Sequence, residues 1–195
     1  LRFALQLGDL NSMAWAEFCC GFLSLVQGDG EGAVGHFQSS IKSQEDAHAT
    51  IILGLSWSAL GLGYCLLGQL ETARSHMEKA ITLQRELGIN LSLPQYSCYM
   101  AMLYLDLGDL ENARSCIKEA LKSAQELREK WWEGITSIML GRILARSGKS
   151  HYEQAEEYIF RGIKILDELG MRPYSAQGHL YLGELYADMV DNEKA

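Results

Sequence analysis

The chain has 195 residues, 48% of them hydrophobic and 22% charged, with only two prolines, and this composition argues against a disordered segment. The formal net charge of −8 would repel a phosphate backbone, which argues against nucleic acid as a direct ligand. Five cysteines, none in a C-x-x-C pair, favour a reducing compartment. Because the first residues show no secretory signal, we expect a cytoplasmic protein unless a targeting segment lies outside this sequence.

Apolar residues follow helical spacing along almost the whole chain, without the sustained alternation that is typical of strands. We predict helices over residues 11–27, 31–46, 48–67, 71–87, 91–107, 111–127, 131–147, 152–169 and 173–189. Pro94 and Pro173 lie near helix starts, where a missing N–H is tolerated. Gly88 and Gly170 lie just past helix ends, so the punctuation agrees with the spacing.

The sequence repeats itself with a period of 40 residues. Glycines recur at positions 28, 68, 108 and 148, and each precedes an alanine, at positions 33, 73, 113 and 155, with a further alanine at 195. The one longer interval of 42 residues has its additional residues in a turn, where insertions cost little loop entropy. We expect a single array over 1–195, excised from a longer one, with repeats over about 9–47, 48–88, 89–128 and 129–170 and a partial repeat over 171–195.

The second repeat carries a family pattern. It follows the spacing W-x2-L-G-x2-Y…A-x3-F-x2-A through Trp57, Leu60, Gly61, Tyr64, Ala73, Met77 and Ala80. This resembles the tetratricopeptide repeat, and the third repeat follows it as well, whereas the fourth has Gly162 in place of the last alanine. The resemblance implies an all-α fold, a right-handed α-solenoid of stacked antiparallel helix hairpins. Close packing of each hairpin requires small residues, so we expect Gly61 to face Ala73. The 40-residue repeats are similar to the helical arrays of bacterial signalling regulators.

Charged residues concentrate in the second helix of each hairpin, and the first helices are comparatively apolar. Since first helices line the concave side in the tetratricopeptide family, the resemblance implies an apolar groove. The groove positions of the family map onto Trp15, Phe18, Phe22, Leu25, Leu55, Ser58, Leu62, Leu66, Gln95, Cys98, Tyr99 and Met102. Exposed apolar patches mark interaction sites, but neighbouring helices burying these residues as core is an equal alternative.

Two arginines, Arg142 and Arg146, lie one turn apart in a first helix of the later repeats. Ion pairs with Glu184 and Asp188 of the next first helix, and with Asp106 on the other side, are one interpretation. The other is that the arginines bind a peptide carboxylate or an acidic side chain, with Tyr181 and Gln177 beside it.

Motifs for other functions fail on their context. Gly148-Lys149-Ser150 lacks the upstream glycine of a phosphate-binding loop. Residues 47–70 carry no charge, but they keep the repeat register and so predict a buried helix instead of a membrane span. No metal-ligand spacing or nucleophile motif is present. We therefore expect no enzyme, no metal, no cofactor and no membrane partner.

Together these patterns predict a non-catalytic interaction and scaffolding module of a larger regulatory protein, which binds a protein segment in its concave groove. The candidate binding residues are Trp15, Phe18, Phe22, Leu62, Leu66, Tyr99, Met102, Arg142, Arg146 and Tyr181. The alternative is an arm that forms a homodimer, or that regulates its own parent protein, such as a signalling ATPase or nucleotide cyclase.

Overall fold

The computed structural model describes residues 8–88 and 93–193, and within them every regular element is helical. The chain divides after residue 92 into two compact units. Unit 1 contains α1 (Leu10–Val26), α2 (Gly30–Asp46), α3 (Leu53–Leu66) and α4 (Leu70–Leu87). Unit 2 contains α5 (Leu93–Asp106), α6 (Leu110–Glu126), α7 (Lys130–Arg146), a 3₁₀ turn (Lys149–His151), α8 (Tyr152–Glu168) and α9 (Arg172–Glu193). The predicted ends of the array, residues 1–7 and Ala195, lie outside the described residues.

The recurring glycines form the turn inside each hairpin. Gly28, Gly68 and Gly108 have φ angles of 75°, 70° and 76°, in the left-handed region that glycine adopts without a steric penalty. The helix after the turn is capped in two of these hairpins by an aspartate, and Asp29 accepts a hydrogen bond from the Gly32 N–H at 2.8 Å. The turns that the 40-residue spacing predicts are therefore where the hairpins bend.

The predicted start of the third helix at residue 48 is wrong. His48 itself adopts a left-handed conformation, with a φ of 51°, and this ends α2. The Ala49 N–H then donates to the Gln44 carbonyl at 2.9 Å, and α3 begins only at Leu53. The apolar spacing of residues 48–52 had extended the predicted helix into this connection.

Each hairpin closes where a glycine removes a side chain from the helix contact. A Cβ atom on Gly61 would lie 3.0 Å from the Ala73 carbonyl oxygen and 2.6 Å from Met77 Cγ, so the predicted facing of Gly61 and Ala73 is confirmed. Equivalent close approaches occur at Gly21 in α1 and Gly141 in α7. Small residues at this position let the two helices pack at backbone distance.

The core of unit 1 is built around Phe37, which is fully buried in α2. Phe18 and Phe22 of α1 meet its ring edge-to-face, with ring centroids 5.9 and 5.5 Å from its own. In unit 2 the central helix is α7, which packs against α5, α6, α8 and α9. None of the helices in the described parts of the chain combines the length and the apolar character that a membrane span requires.

A buried polar network joins three helices of unit 1. The Ser40 hydroxyl donates to the Ala14 carbonyl at 2.7 Å, and the Gln44 side-chain amide donates to Ser56 Oγ at 2.7 Å. Ser40 and Ser56 also lie within hydrogen-bond distance of each other, at 3.2 Å. All three network side chains are almost completely buried, so their polar groups depend on one another for partners.

The all-α fold class, made of antiparallel helix hairpins, is confirmed for the described residues. The assignment of one continuous array with five repeats stays a prediction.

Candidate functional site

An open pocket of about 370 Å³ lies in unit 2, at the end of α5, the start of α6 and the C-terminal half of α7. Two guanidinium groups and one carboxyl group face it. The residues that line it are Leu105, Asp106, Gly108, Leu110, Arg142 and Arg146. Both predicted arginines and Asp106 are therefore brought together, whereas the two leucines had no sequence signal beyond ordinary apolar spacing.

Arg142 is held in place by Tyr181 of α9. Its guanidinium carbon lies 4.2 Å from the centroid of the tyrosine ring, and Nη1 donates to the tyrosine hydroxyl at 3.1 Å. Gln177 donates to the same hydroxyl at 2.8 Å. Tyr181 is buried, so it positions Arg142 instead of presenting its own surface. The Nε atom of Arg142 is buried and has no hydrogen-bond partner.

Asp106 faces both arginines without a direct ion pair to either one in the described residues. Partial burial raises the pKa of its carboxyl group, and the nearby charges of Arg142 and Arg146 counteract only part of this effect. The predicted ion pairs with Glu184 and Asp188 place both acids on the exposed side of α9, and no described ion pair joins Glu184 to an arginine. The pocket thus keeps positive charge on its wall.

Most of the other unit 2 candidates are covered. Tyr99 is buried, and its hydroxyl accepts a hydrogen bond from Gln95 at 2.9 Å, so both residues support α5 from within. Cys98 is also buried, and this burial raises the pKa of its thiol to about 12. The groove positions inferred for Gln95 and Cys98 are therefore wrong, since they pack under neighbouring side chains. Met102 is half-buried and keeps some accessible surface.

In unit 1 the candidate residues range from exposed to half-buried. Trp15 on α1 and Leu66 on α3 are each 49% exposed. Phe18, Phe22 and Leu62 are half-buried, and the two phenylalanines belong to the core around Phe37. The groove positions inferred for two further residues are wrong, because the structure buries Leu55 and Ser58.

A second pocket, of about 380 Å³, lies in unit 1 beside an aromatic stack that the sequence patterns did not reveal. The His76 ring stacks between Trp57 and Tyr64, with centroid distances of 5.3 and 5.1 Å. Lys79 Nζ lies 3.4 Å from the centroid of the Trp57 ring. Burial and then the charge of Lys79 lower the pKa of His76, so its ring is neutral at pH 7. Trp57 and Tyr64 are family pattern residues, but their partner on α4 is set by tertiary packing.

Metal binding finds no support in residues 8–88 and 93–190, where no three His, Cys, Asp or Glu side chains gather as metal ligands would.

A family model described as tetratricopeptide repeat matches residues 96–127, which form most of the α5–α6 hairpin. No curated protein sequence matches the chain.

Several solved structures share the fold at low sequence identity. The Rap conjugation gene regulator of the plasmid pLS20, in complex with the Phr* peptide, is 19% identical with a TM-score of 0.76, over 88% of this chain and 47% of its own. Aspartyl phosphate phosphatase F from Bacillus subtilis is 17% identical with a TM-score of 0.61, over 91% and 49%. A putative kinesin light chain of Podosopora anserina with TPR-like repeats is 13% identical with a TM-score of 0.62, over 92% and 88%.

The chain spans about half the length of the Rap regulator and of the phosphatase. Identities of this size show a shared fold and carry no activity or ligand with them. The repeat spacing, the match over residues 96–127 and the shared fold of helix hairpins together place the chain in the tetratricopeptide repeat family.

Proposed function

We propose that this chain is a non-catalytic recognition module of a larger regulatory protein, and that its unit 2 pocket binds a protein segment through an acidic group. The observation that carries this proposal is the pair of guanidinium groups of Arg142 and Arg146, which face an open pocket without an ion pair to Asp106. Carboxylates are the groups in proteins that guanidinium forks bind best. The Rap regulator, a structural neighbour that was solved with a peptide, adds support from the fold.

Preorganisation of the pocket also supports binding. The Arg142 side chain is already fixed by stacking on Tyr181, so little rotamer entropy is lost when a ligand arrives. Its unpartnered, buried Nε gains a hydrogen bond if a ligand oxygen reaches it. Leu105 and Leu110 supply apolar contacts beside the charged wall. The described cysteines are all free, which fits our placement of the protein in the cytoplasm.

The apolar candidates of unit 1 form a separate contact surface in this proposal. Trp15 and Leu66 present the largest accessible areas among them, and Leu62 adds a part of its side chain. Phe18 and Phe22 contribute mainly by holding α1 against Phe37.

A pair of peptide pools tests the pocket. One pool contains fluorescein-labelled octapeptides with glutamate fixed at one position, and the other has glutamine there. We expect the glutamate pool to bind about tenfold more tightly, because a charge-assisted hydrogen bond contributes about 1.5–3 kcal/mol. Arg146→Gln should remove this preference, and Asp106→Asn should increase it, since a competing negative charge is lost. Fluorescence anisotropy measures the affinities.

Lys164→Gln is the matched control, because it removes one positive charge from an exposed position of α8. It should leave the preference for glutamate unchanged, and circular dichroism should show that all variants stay folded. Equal binding of the two pools to the wild type would overturn the proposed acidic ligand.

Self-association is the second candidate function, and the outer side of α1 favours it. Trp15, Leu23 and Val26 are exposed along this helix. Leu23→Glu tests the idea without disturbing the contacts of Phe18 and Phe22 with Phe37. If α1 forms a dimer, the mass in solution measured by light scattering should fall from dimer to monomer in Leu23→Glu. Leu127→Glu, at an exposed leucine of unit 2, should leave the mass unchanged. A monomeric wild type at every soluble concentration would contradict this candidate.

A further inference from the structure

The outer side of α9 is an apolar helix face that no other described residue covers. Leu180 is 60% exposed, Tyr186 is 40% exposed and Val190 is 48% exposed. Between them lies Gly183, and a Cβ atom built on this glycine would have no neighbour within 4 Å. We call these four residues the α9 face. Such a contiguous apolar surface is unusual on a helix that faces only water.

The repeat shows what covers the same positions elsewhere in unit 2. A shift of 42 residues relates α9 to α7, so that Leu180 corresponds to Ile138 and Tyr186 to Leu144. Ile138 is only 3% exposed and Leu144 only 1% exposed. On α7 these positions are covered largely because α8, the second helix of its hairpin, packs against them.

The glycine gives the sharper comparison. A Cβ on Gly141 would lie 2.6 Å from the Ala155 carbonyl oxygen and 2.6 Å from Ile159 Cγ1, both on α8. In unit 1, Gly61 meets Ala73 and Met77 of α4 at similar distances. Gly183 holds the equivalent place on α9, and its notch is open. In both occupied notches an alanine and a large apolar residue four positions later fill the contact.

We propose that the α9 face is a docking site for an amphipathic helix of the second-helix type. The docking helix places an alanine in the Gly183 notch and a large apolar residue, four positions later, against Leu180, while its charged side faces water. The occupant is defined by the hairpin contacts of Gly61 and Gly141, which show the side-chain sizes that this geometry accepts. The site is distinct from the arginine pocket and does not depend on an acidic ligand.

The sequence of α4 supplies the probe. A fluorescein-labelled peptide of residues 70–87, acetylated and amidated, carries Ala73 and Met77 at the required spacing and has equal numbers of acidic and basic side chains. We expect saturable binding to the 195-residue chain, measured by fluorescence anisotropy. Gly183→Leu should weaken it about tenfold or more, because the leucine fills the notch. The peptide change Ala73→Leu should have a similar effect.

Gly35→Leu is the matched control on the protein. Gly35 is an exposed glycine inside α2, and a Cβ there would also have no neighbour within 4 Å, so the same change should leave peptide affinity unaltered. Equal affinity of wild type and Gly183→Leu, or no binding at all, would overturn the proposal. A wild-type dimer that Gly183→Leu dissociates and Leu23→Glu does not would overturn it as well, and would make a second copy of the chain the occupant.

Discussion

Replacing Gly162 by alanine, the residue that the second and third repeats carry at this position, is expected to destabilise the protein by about 1–3 kcal/mol. Gly162 lies where α8 crosses α7. A Cβ there would approach the Gly134 carbonyl oxygen to 2.5 Å and the Ile138 backbone nitrogen to 2.9 Å. Because both are backbone atoms, rotation of a side chain cannot relieve the contact, and the two helices must move apart.

Gly35→Ala is the control for the backbone effect of the same substitution. Gly35 is exposed in α2 with open space around its Cα, so alanine should stabilise the protein there by up to about 1 kcal/mol through its higher helix propensity. Urea unfolding followed by circular dichroism measures both changes. An unfolding midpoint of Gly162→Ala at or above that of the wild type would contradict the predicted clash.

The second large effect is expected at Glu133, a buried carboxylate that connects three helices of unit 2. Its oxygens accept hydrogen bonds from Arg161 Nη2 of α8 at 2.6 Å and from Lys130 Nζ at 2.7 Å. Gln125 of α6 donates to it at 3.4 Å. At neutral pH, Glu133→Gln should lower the free energy of unfolding by about 1–2 kcal/mol, a value below that of a fully buried pair because Arg161 and Lys130 are partly exposed.

The effect of Glu133→Gln should depend on pH. Burial raises the pKa of Glu133, but the hydrogen bonds from Lys130 and Arg161 outweigh it and hold the pKa below its ordinary value. A carboxyl group with a lowered pKa in the folded state stabilises the protein fully above its unfolded pKa of about 4.3. This stabilisation is lost as the pH falls through the folded pKa. The stability difference between wild type and Glu133→Gln should therefore be constant near neutral pH and shrink in acid.

Thermal unfolding at a series of pH values measures this difference. Glu126→Gln is the matched control, because Glu126 pairs with Lys122 at 3.7 Å and both side chains are exposed. It should change stability by less than about 0.5 kcal/mol at any pH. A difference for Glu133→Gln that stays constant down to about pH 3 would contradict the assigned role of the carboxylate.

The helical architecture could be predicted from the sequence because its signals are local. The turn glycines, the 3.6-residue spacing and the facing of Gly61 and Ala73 all follow from backbone geometry that repeats every 40 residues. The start of α3 was missed because the left-handed conformation of His48 has no strong signal in a residue other than glycine.

The candidate site was less accessible to sequence reasoning, because it depends on contacts between helices. Arg142 and Arg146 could be singled out by their place in an apolar first helix, but the stacking of Arg142 on Tyr181 depends on how α7 and α9 pack. The burial of Tyr99 and the stack around His76 also depend on packing. A repeat pattern predicts which face of a helix a residue occupies, and it does not predict how deeply the next helix covers it.

Chains made of near-identical hairpins face a hazard during folding, since any first helix can offer its oily side to the wrong neighbour. The hydrogen-bonded trio of Ser40, Gln44 and Ser56 discriminates against such mispairing. One and two periods after Ser40 the chain has Ala80 and Ala120, which have no hydroxyl to offer. A swapped arrangement would strand Ser40 or Gln44 at a cost of about 1–3 kcal/mol each. The trio thus works as an address, recognised by one neighbour and refused by the others.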